Sequence, residues 1–271
     1  MSNWSRRKFL AASAVSLWGT VLSAKPMKAV SALLNLTESP LQNKKVLFIY
    51  GGWEGHEPKQ SADLFVPWLE SEGAEVTVSD NLGVYTDRTL MDSLDLIIQS
   101  ITMSKITPEQ EKGLLHAVQN GCGFAGWHGG IGDSFRENPE YQFMVGGQWV
   151  SHPGGIIDYM VHIVDWDDEV THGIGDFEVN SEQYYMHVDP NVKVLATTVF
   201  SGEHLSWING SVMPVVWKKY YGKGRVFYSS LGHVMKDFEQ FELFEIQKRG
   251  IRWAAQSKYQ PGEKWIHPIY K

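Results

Sequence analysis

Residues 107–130 read TPEQEKGLLHAVQNGCGFAGWHGG, and this stretch decides the fold. Thr107 stands as a helix N-cap, Pro108 occupies the first turn and Gln110 fills the capping-box position. Leu114, Leu115 and Val118 supply an apolar stripe, and Gly121 stops the helix. Gly123 to Trp127 then reads as a short buried strand running into Gly126-Trp127-His128-Gly129-Gly130. A strand that enters Gly-x-His-x-Gly has the spacing of a nucleophile elbow, a tight turn that lifts its middle residue out of the sheet. Histidine in that place removes serine or cysteine acyl transfer and leaves an acid/base group or a metal ligand.

Upstream the same alternation recurs. Val46-Leu47-Phe48-Ile49-Tyr50 is an apolar run ended by Gly51-Gly52, as expected of a parallel strand buried on both faces. Ala62, Phe65, Val66 and Leu69 follow at helical spacing, closed by Gly73; Ala74–Val78 and Leu94–Ile98 are the next two strands. Four strands with helical crossovers predict a doubly wound, mainly parallel α/β sheet with helices on both faces. Ligands in such sheets bind beyond the carboxyl ends of the strands, here residues 50–57, 100–104 and 128–134. Downstream, residues 159–164, 192–200, 213–219 and 225–230 read as strands, some antiparallel. Tyr221-Gly222-Lys223-Gly224 is a hairpin turn and residues 238–255 form a closing helix.

Composition narrows the function. The chain has 271 residues, a net charge of −7 and a single cysteine, which excludes a disulfide framework and a cysteine-rich zinc module. Residues 1–45 carry seven bases and one acid, so the remainder holds a net charge of −13 and repels phosphate backbones. Nucleic acid is excluded as a partner on that ground, and no run in the body is long and apolar enough to span a membrane. Ser5-Arg6-Arg7-Lys8-Phe9-Leu10 ahead of a short apolar stretch reads as a twin-arginine export signal over residues 1–24. Leu22-Ser23-Ala24 is a poor cleavage site, so an uncleaved anchor stays open. Residues 25–44 read as a linker, 45–256 as the α/β domain and 257–271 as a tail. The expected location is the periplasm, and a homo-oligomer is left open.

Histidines on strand-terminal loops are the candidate chemistry. His56 follows the first strand, His128 sits at the elbow, His152 lies in a glycine-rich loop and His233 directly follows the last strand. Glu182 and Asp133 are carboxylates that could orient or protonate an imidazole. Trp53, Trp127 and Tyr184, with Trp149, are aromatics suited to sugar rings or to the core. Zinc or a similar divalent ion on these imidazoles, and a metal-free histidine cluster, are both open. Cys122 is expected inside the sheet as an inert thiol.

Gly51-Gly52 with His56, the Gly-Trp-His-Gly-Gly elbow, the Gly146-Gly147-Gln148-Trp149 to Ser151-His152-Pro153 loop, Glu182-Gln183-Tyr184-Tyr185 and the run Gly224 to His233 form an ordered set. The set resembles the trehalose-utilisation (ThuA-like) family of the class I glutamine amidotransferase-like fold group, over about residues 44–256. The resemblance implies a flavodoxin-like sheet. In the glutaminase relatives the elbow carries a nucleophilic cysteine and a histidine follows a late strand. Here the elbow holds His128, so glutaminase activity is not implied, while His233 matches the late histidine. The family's association with trehalose and 3-keto sugars implies a small carbohydrate as partner. It points to a hydrolase or lyase using His128, Glu182 and His233, with Trp53, His56, Trp127, Asp133, His152 and Tyr184 binding the ligand. A non-catalytic carbohydrate-binding or accessory protein on the same scaffold is the competing expectation.

Overall fold

The computed structural model describes residues 39–265. Eleven strands and six α-helices follow one another: β1 (Lys45–Gly52), α1 (Pro58–Ser71), β2 (Glu75–Ser79), α2 (Arg88–Ser93), β3 (Leu96–Thr102), α3 (Pro108–Gln119), β4 (Gly123–Trp127), α4 (Gly129–Gly132), α5 (Pro139–Val145), β5 (Gly147–Ser151), β6 (Ile156–Ile163), β7 (Phe177–Glu182), β8 (Tyr185–Val188), β9 (Lys193–Val199), β10 (Val212–Tyr221), β11 (Gly224–Ser229) and α6 (Phe241–Ala255). Nine strands form one sheet in the order β2-β1-β3-β4-β11-β10-β9-β6-β7, and β5 pairs with β8 in a separate ribbon. The first five of that order are parallel and the rest antiparallel, as expected of the two halves of the chain.

The sheet forms where period-two burial works on both faces. In β1, Val46 and Phe48 join one core while Leu47 and Ile49 join the other, and none of the four is exposed to water. The first core holds Phe65 and Leu69 of α1 with Ile246, Ile251 and Trp253 of α6. The second holds Leu114 and Val118 of α3 with Tyr141 and Met144 of α5. Fully burying side chains of this size contributes roughly 1.5–3 kcal/mol each, so the two layers clamp the parallel half from both sides. The Thr107 capping box forms as predicted, with Thr107 Oγ1 accepting from Gln110 N and Gln110 Oε1 accepting from Thr107 N.

Differences from the sequence reading lie mainly in the second half. The β5–β8 ribbon and β7 were not expected. β7 alternates apolar and polar residues, but the whole strand is six residues long; β8 has four. Residues 39–44 of the expected linker dock on the body: Leu41 is fully buried and Asn43 N donates to the Gly73 carbonyl. Residues 257–265 of the expected tail also pack, with Glu263 accepting from Trp253 Nε1. The proposed signal, residues 1–24, lies outside the described residues. Among those described, no helix is long and apolar enough to cross a membrane.

Two topological facts position the site. The strand order reverses direction at β1, whose neighbours are β2 and β3, which opens a crevice at the carboxyl ends of β1 and β3. Second, β6 pairs with β9 only at His162 and Ile163. The rest of the β6–β7 ribbon leaves the sheet, and the end of β7 reaches the loop after β11, where Ser181 Oγ donates to Asp237.

Candidate active site

The elbow forms as its glycine spacing predicts. His128 has φ 47° and ψ −138°, a conformation disfavoured for residues with a Cβ and costing on the order of 1–3 kcal/mol. Close packing explains the glycines after it. A Cβ on Gly130 would lie 2.8 Å from the Ser100 Cα, and one on Gly129 would lie 2.5 Å from the His56 ring. The strained residue is held by the sheet register, in which Ser229 of β11 pairs with Trp127 of β4. His128 N donates to the Ser229 carbonyl at 2.7 Å, its Nδ1 lies 2.8 Å from the Ser230 carbonyl, and Tyr228 Oη donates to the His128 carbonyl. A carbonyl only accepts, so His128 Nδ1 carries the hydrogen and Nε2 faces the crevice.

At Nε2 the expected residues meet. Glu182 Oε2 lies 3.1 Å away and His233 Nδ1 3.3 Å away; Glu182 Oε2 and His233 Nδ1 are 3.4 Å apart. His152 Nε2 stands 3.7 Å from the other Glu182 oxygen. His56 packs edge-on against the His128 and His233 rings, and its Nδ1 lies 2.9 Å from Thr102 Oγ1. Tyr184 stacks on His128 with ring centres 4.0 Å apart. Five elements thus converge: the loops after β1, β4, β5 and β11, and the end of β7.

The environment sets the charges. Burial, then the neighbouring His128 and His233, push His56 down to about 3, so it is a neutral ring. Burial and His128 likewise lower His233. Burial works to raise the Glu182 carboxyl, but the hydrogen bond and charge of His128, with His233 and His152, outweigh it and hold the group down to about 2. An ionised carboxylate therefore sits among imidazoles in a pocket largely closed to water. Beside them, His152 Nδ1 and Trp149 Nε1 are buried without a hydrogen-bond partner.

Two expected ligand-binding residues serve elsewhere. Trp127 is 2% exposed and packs on Phe65 and Phe238, because its side chain points from β4 into the core. Asp133 is buried but pairs with both nitrogen arms of Arg136 rather than with an imidazole, and the Arg136 guanidinium lies over the Trp149 ring. Trp53 is half exposed at the rim, with its ring against His56. Cys122 is buried just before β4, at the end of the sheet opposite the site, and burial raises its thiol to about 12.

Sequence reasoning missed the residues that hold the cluster in place. Thr102 ends β3 and fixes the His56 ring. Asp237 accepts from both His233 N and Ser181 Oγ, tying the two loops that carry His233 and Glu182. Glu57 Oε2 accepts from Met235 N, joining the loop after β1 to the loop after β11. Thr102 and Glu57 lie in strand ends already marked as crevice; nothing in the sequence around Asp237 marks it. A cleft of about 250 Å³ lined by Met103, Lys105, Ser134 and Arg136 lies on the same edge, without the histidines in its wall.

Fold and site together define a class: a flavodoxin-like α/β protein whose strand-to-helix elbow presents an imidazole. The sequence model of the ThuA family, described as trehalose utilisation, matches residues 45–254, and the chain belongs to that family. Solved structures agree in fold. A ThuA-like protein from Bacteroides uniformis superposes with TM-score 0.67 at 18% identity, over 80% of this chain and 93% of that one. Another from Parabacteroides merdae gives 0.65 at 22% identity, over 82% and 94%. A cytoplasmic protein of Salmonella typhimurium LT2 gives 0.56 at 15% identity, over 79% and 98%. No curated protein sequence matches.

Proposed function

We propose that the protein is an enzyme acting on a keto-sugar or a glycoside, with its reaction centre at His128, Glu182 and His233. The observation that carries this reading is the buried contact of His128 Nε2 with Glu182 Oε2 at 3.1 Å, with His233 beside both. A sugar-binding module needs an aromatic platform and hydrogen-bond partners; it does not need a strained histidine facing a buried carboxylate. Convergence of His56, His128, His152 and His233 in one crevice supports the enzyme over the binding protein, and the family's link to trehalose supports a sugar as substrate.

The chemistry follows from a ketone at C3. That ketone acidifies the C2–H bond, so a base removes the proton, the C1–O bond breaks and the departing oxygen takes up a proton. Water then adds across the C1=C2 bond, completing a net hydrolysis. The steps need a base, an acid and something to carry the enolate charge. Glu182, held ionised, is the candidate base, and its Oε1 stands 3.7 Å from His152 Nε2, to which the proton can pass.

The test is turnover of 3-keto and unmodified disaccharides by the purified full chain. His128→Ala should lower turnover about 10²-fold or more, the scale of a lost acid/base group, with little change in thermal stability. Full activity in a well-folded His128→Ala protein would place the chemistry elsewhere.

The stretch Ser5-Arg6-Arg7-Lys8-Phe9-Leu10, read as a twin-arginine signal, supports export to the periplasm as part of this proposal. A reporter carrying residues 1–45 should be exported, and replacing both Arg6 and Arg7 by Lys should stop it; unchanged export would refute the route.

A further inference from the structure

His56, His128, Glu182 and His233 each offer one ligand atom, and the four atoms all lie within 4.8 Å of one another. Three of them form a triangle: His128 Nε2 to Glu182 Oε2 at 3.1 Å, His128 Nε2 to His233 Nδ1 at 3.3 Å, and Glu182 Oε2 to His233 Nδ1 at 3.4 Å. Ligands held ~2.1 Å from one ion lie about 3.0 Å apart at right angles and about 3.4 Å apart at the tetrahedral angle. The observed sides fall between those limits. A triangle of this size accepts an ion about 1 Å off its plane with all three bonds near ~2.1 Å.

Hydrogen bonding supplies an independent observation. His128 Nδ1 is committed to the Ser230 carbonyl, which aims Nε2 at Glu182 Oε2 and His233 Nδ1. Two imidazole nitrogens and a carboxylate oxygen that point at one another need a shared proton or a cation between them, and one cation satisfies all three atoms at once. His56 Nδ1 is engaged with Thr102, which leaves its Nε2 as the fourth atom. Contacts of this kind on the far ring nitrogen orient metal-bound imidazoles.

We propose that His56, His128, Glu182 and His233 form a mononuclear site for a divalent transition metal. Three imidazoles and one carboxylate suit zinc, iron(II) or manganese(II) better than magnesium or calcium, which prefer oxygen ligands alone. With one carboxylate among its ligands the ion keeps a net positive charge, suited to a carbonyl oxygen that becomes an enolate. That use of the ion rests on the keto-sugar reading; the existence of the site does not. Glu182 Oε1 and His152 stay outside the ligand set, 3.7 Å apart, where they can pass protons.

Zinc is the probe. Full-length protein stripped with chelator is titrated with zinc chloride by calorimetry. One equivalent should bind, and affinity should fall at least 100-fold in His128→Ala and in Glu182→Gln, each checked for folding by circular dichroism. A His116→Ala/His162→Ala double variant, altered outside the cluster, should bind as wild type. Should the cluster variants fail to fold, the visible bands of cobalt(II) added to wild-type protein read the nitrogen and oxygen ligand set directly. Substoichiometric zinc, wild-type affinity in the folded cluster variants, or a cobalt spectrum identical to the aqueous ion overturns the site. Full turnover of a 3-keto disaccharide by metal-free protein overturns the ion's part in the reaction while sparing the keto-sugar reading. Tight zinc without any turnover overturns that reading while sparing the site.

Discussion

His128 is where backbone and chemistry meet. Its positive φ is disfavoured, and the surrounding contacts over-determine it: β11 accepts its N–H, Tyr228 holds its carbonyl and Tyr184 covers its ring. The glycine that follows is equally constrained, by a different atom. A methyl on Gly129 would sit 2.5 Å from His56 Cε1 and 2.7 Å from His56 Nδ1. Gly129→Ala should therefore push the His56 ring off Thr102 and lower turnover about tenfold or more. The fold should survive, since overpacking of this kind costs typically about 1–3 kcal/mol. Kinetics matching wild type would mean that His56 has no part in the reaction. These residues were legible early, because a strand ending in Gly-x-His-x-Gly specifies its own turn. Trp127, their neighbour, was misjudged: the alternation of side chains along β4 turns it to the opposite face, and only the pairing with Phe65 reveals that.

At the scale of elements, capping and crossover do the positioning. α3 starts at a complete capping box on an exposed Thr107, away from the histidines. Thr107→Ala should cost about 1 kcal/mol, which lowers Tm by roughly 2–4 °C in a body of this size, while turnover stays at the wild-type level. A Tm change near zero would show that α3 is held by its apolar face alone. The β6–β7 ribbon works differently. It leaves the sheet after its short pairing with β9 and delivers Glu182 to an elbow 54 residues earlier in the chain. No local signal announces that, since β7 is only six residues long and its turn toward His233 depends on Ser181 meeting Asp237.

Over the whole molecule, a second buried charge cluster ties the antiparallel half together. Asp168, in the loop between β6 and β7, meets Lys218 of β10 at 2.9 Å and Lys193 of β9 at 2.6 Å. Burial works to raise the Asp168 carboxyl, but the two lysines and the Val170 N–H outweigh it and hold the group below the usual carboxylate range. A depressed folded value contributes stability above the unfolded pKa of about 4 and loses it as pH falls through the folded value. Asp168→Asn leaves Lys218, 1% exposed, without its main partner; Glu263 at 3.6 Å compensates in part. The expected loss is about 3 kcal/mol near neutral pH, the low end for breaking a buried pair. The gap between variant and wild type should narrow below about pH 4. Denaturant unfolding at several pH values measures both; a gap that widens in acid would contradict the assignment.

Much was determined by the sequence itself: the four parallel strands, the capped helix, the elbow, and histidines placed on strand-terminal loops. Those features are local, set by period-two burial, glycine punctuation and side-chain capping within a few residues. Only the tertiary structure decided which loops share a crevice. Glu182 joins His128 because the β6–β7 ribbon leaves the sheet, His56 because the strand order reverses at β1, and His233 because β11 lies parallel to β4. Asp133 is diverted to Arg136 by a contact three residues away in the chain, and Trp127 is drawn into the core. Long-range pairing carries no signature in any single stretch of chain, because it depends on surfaces that exist only after both partners have folded.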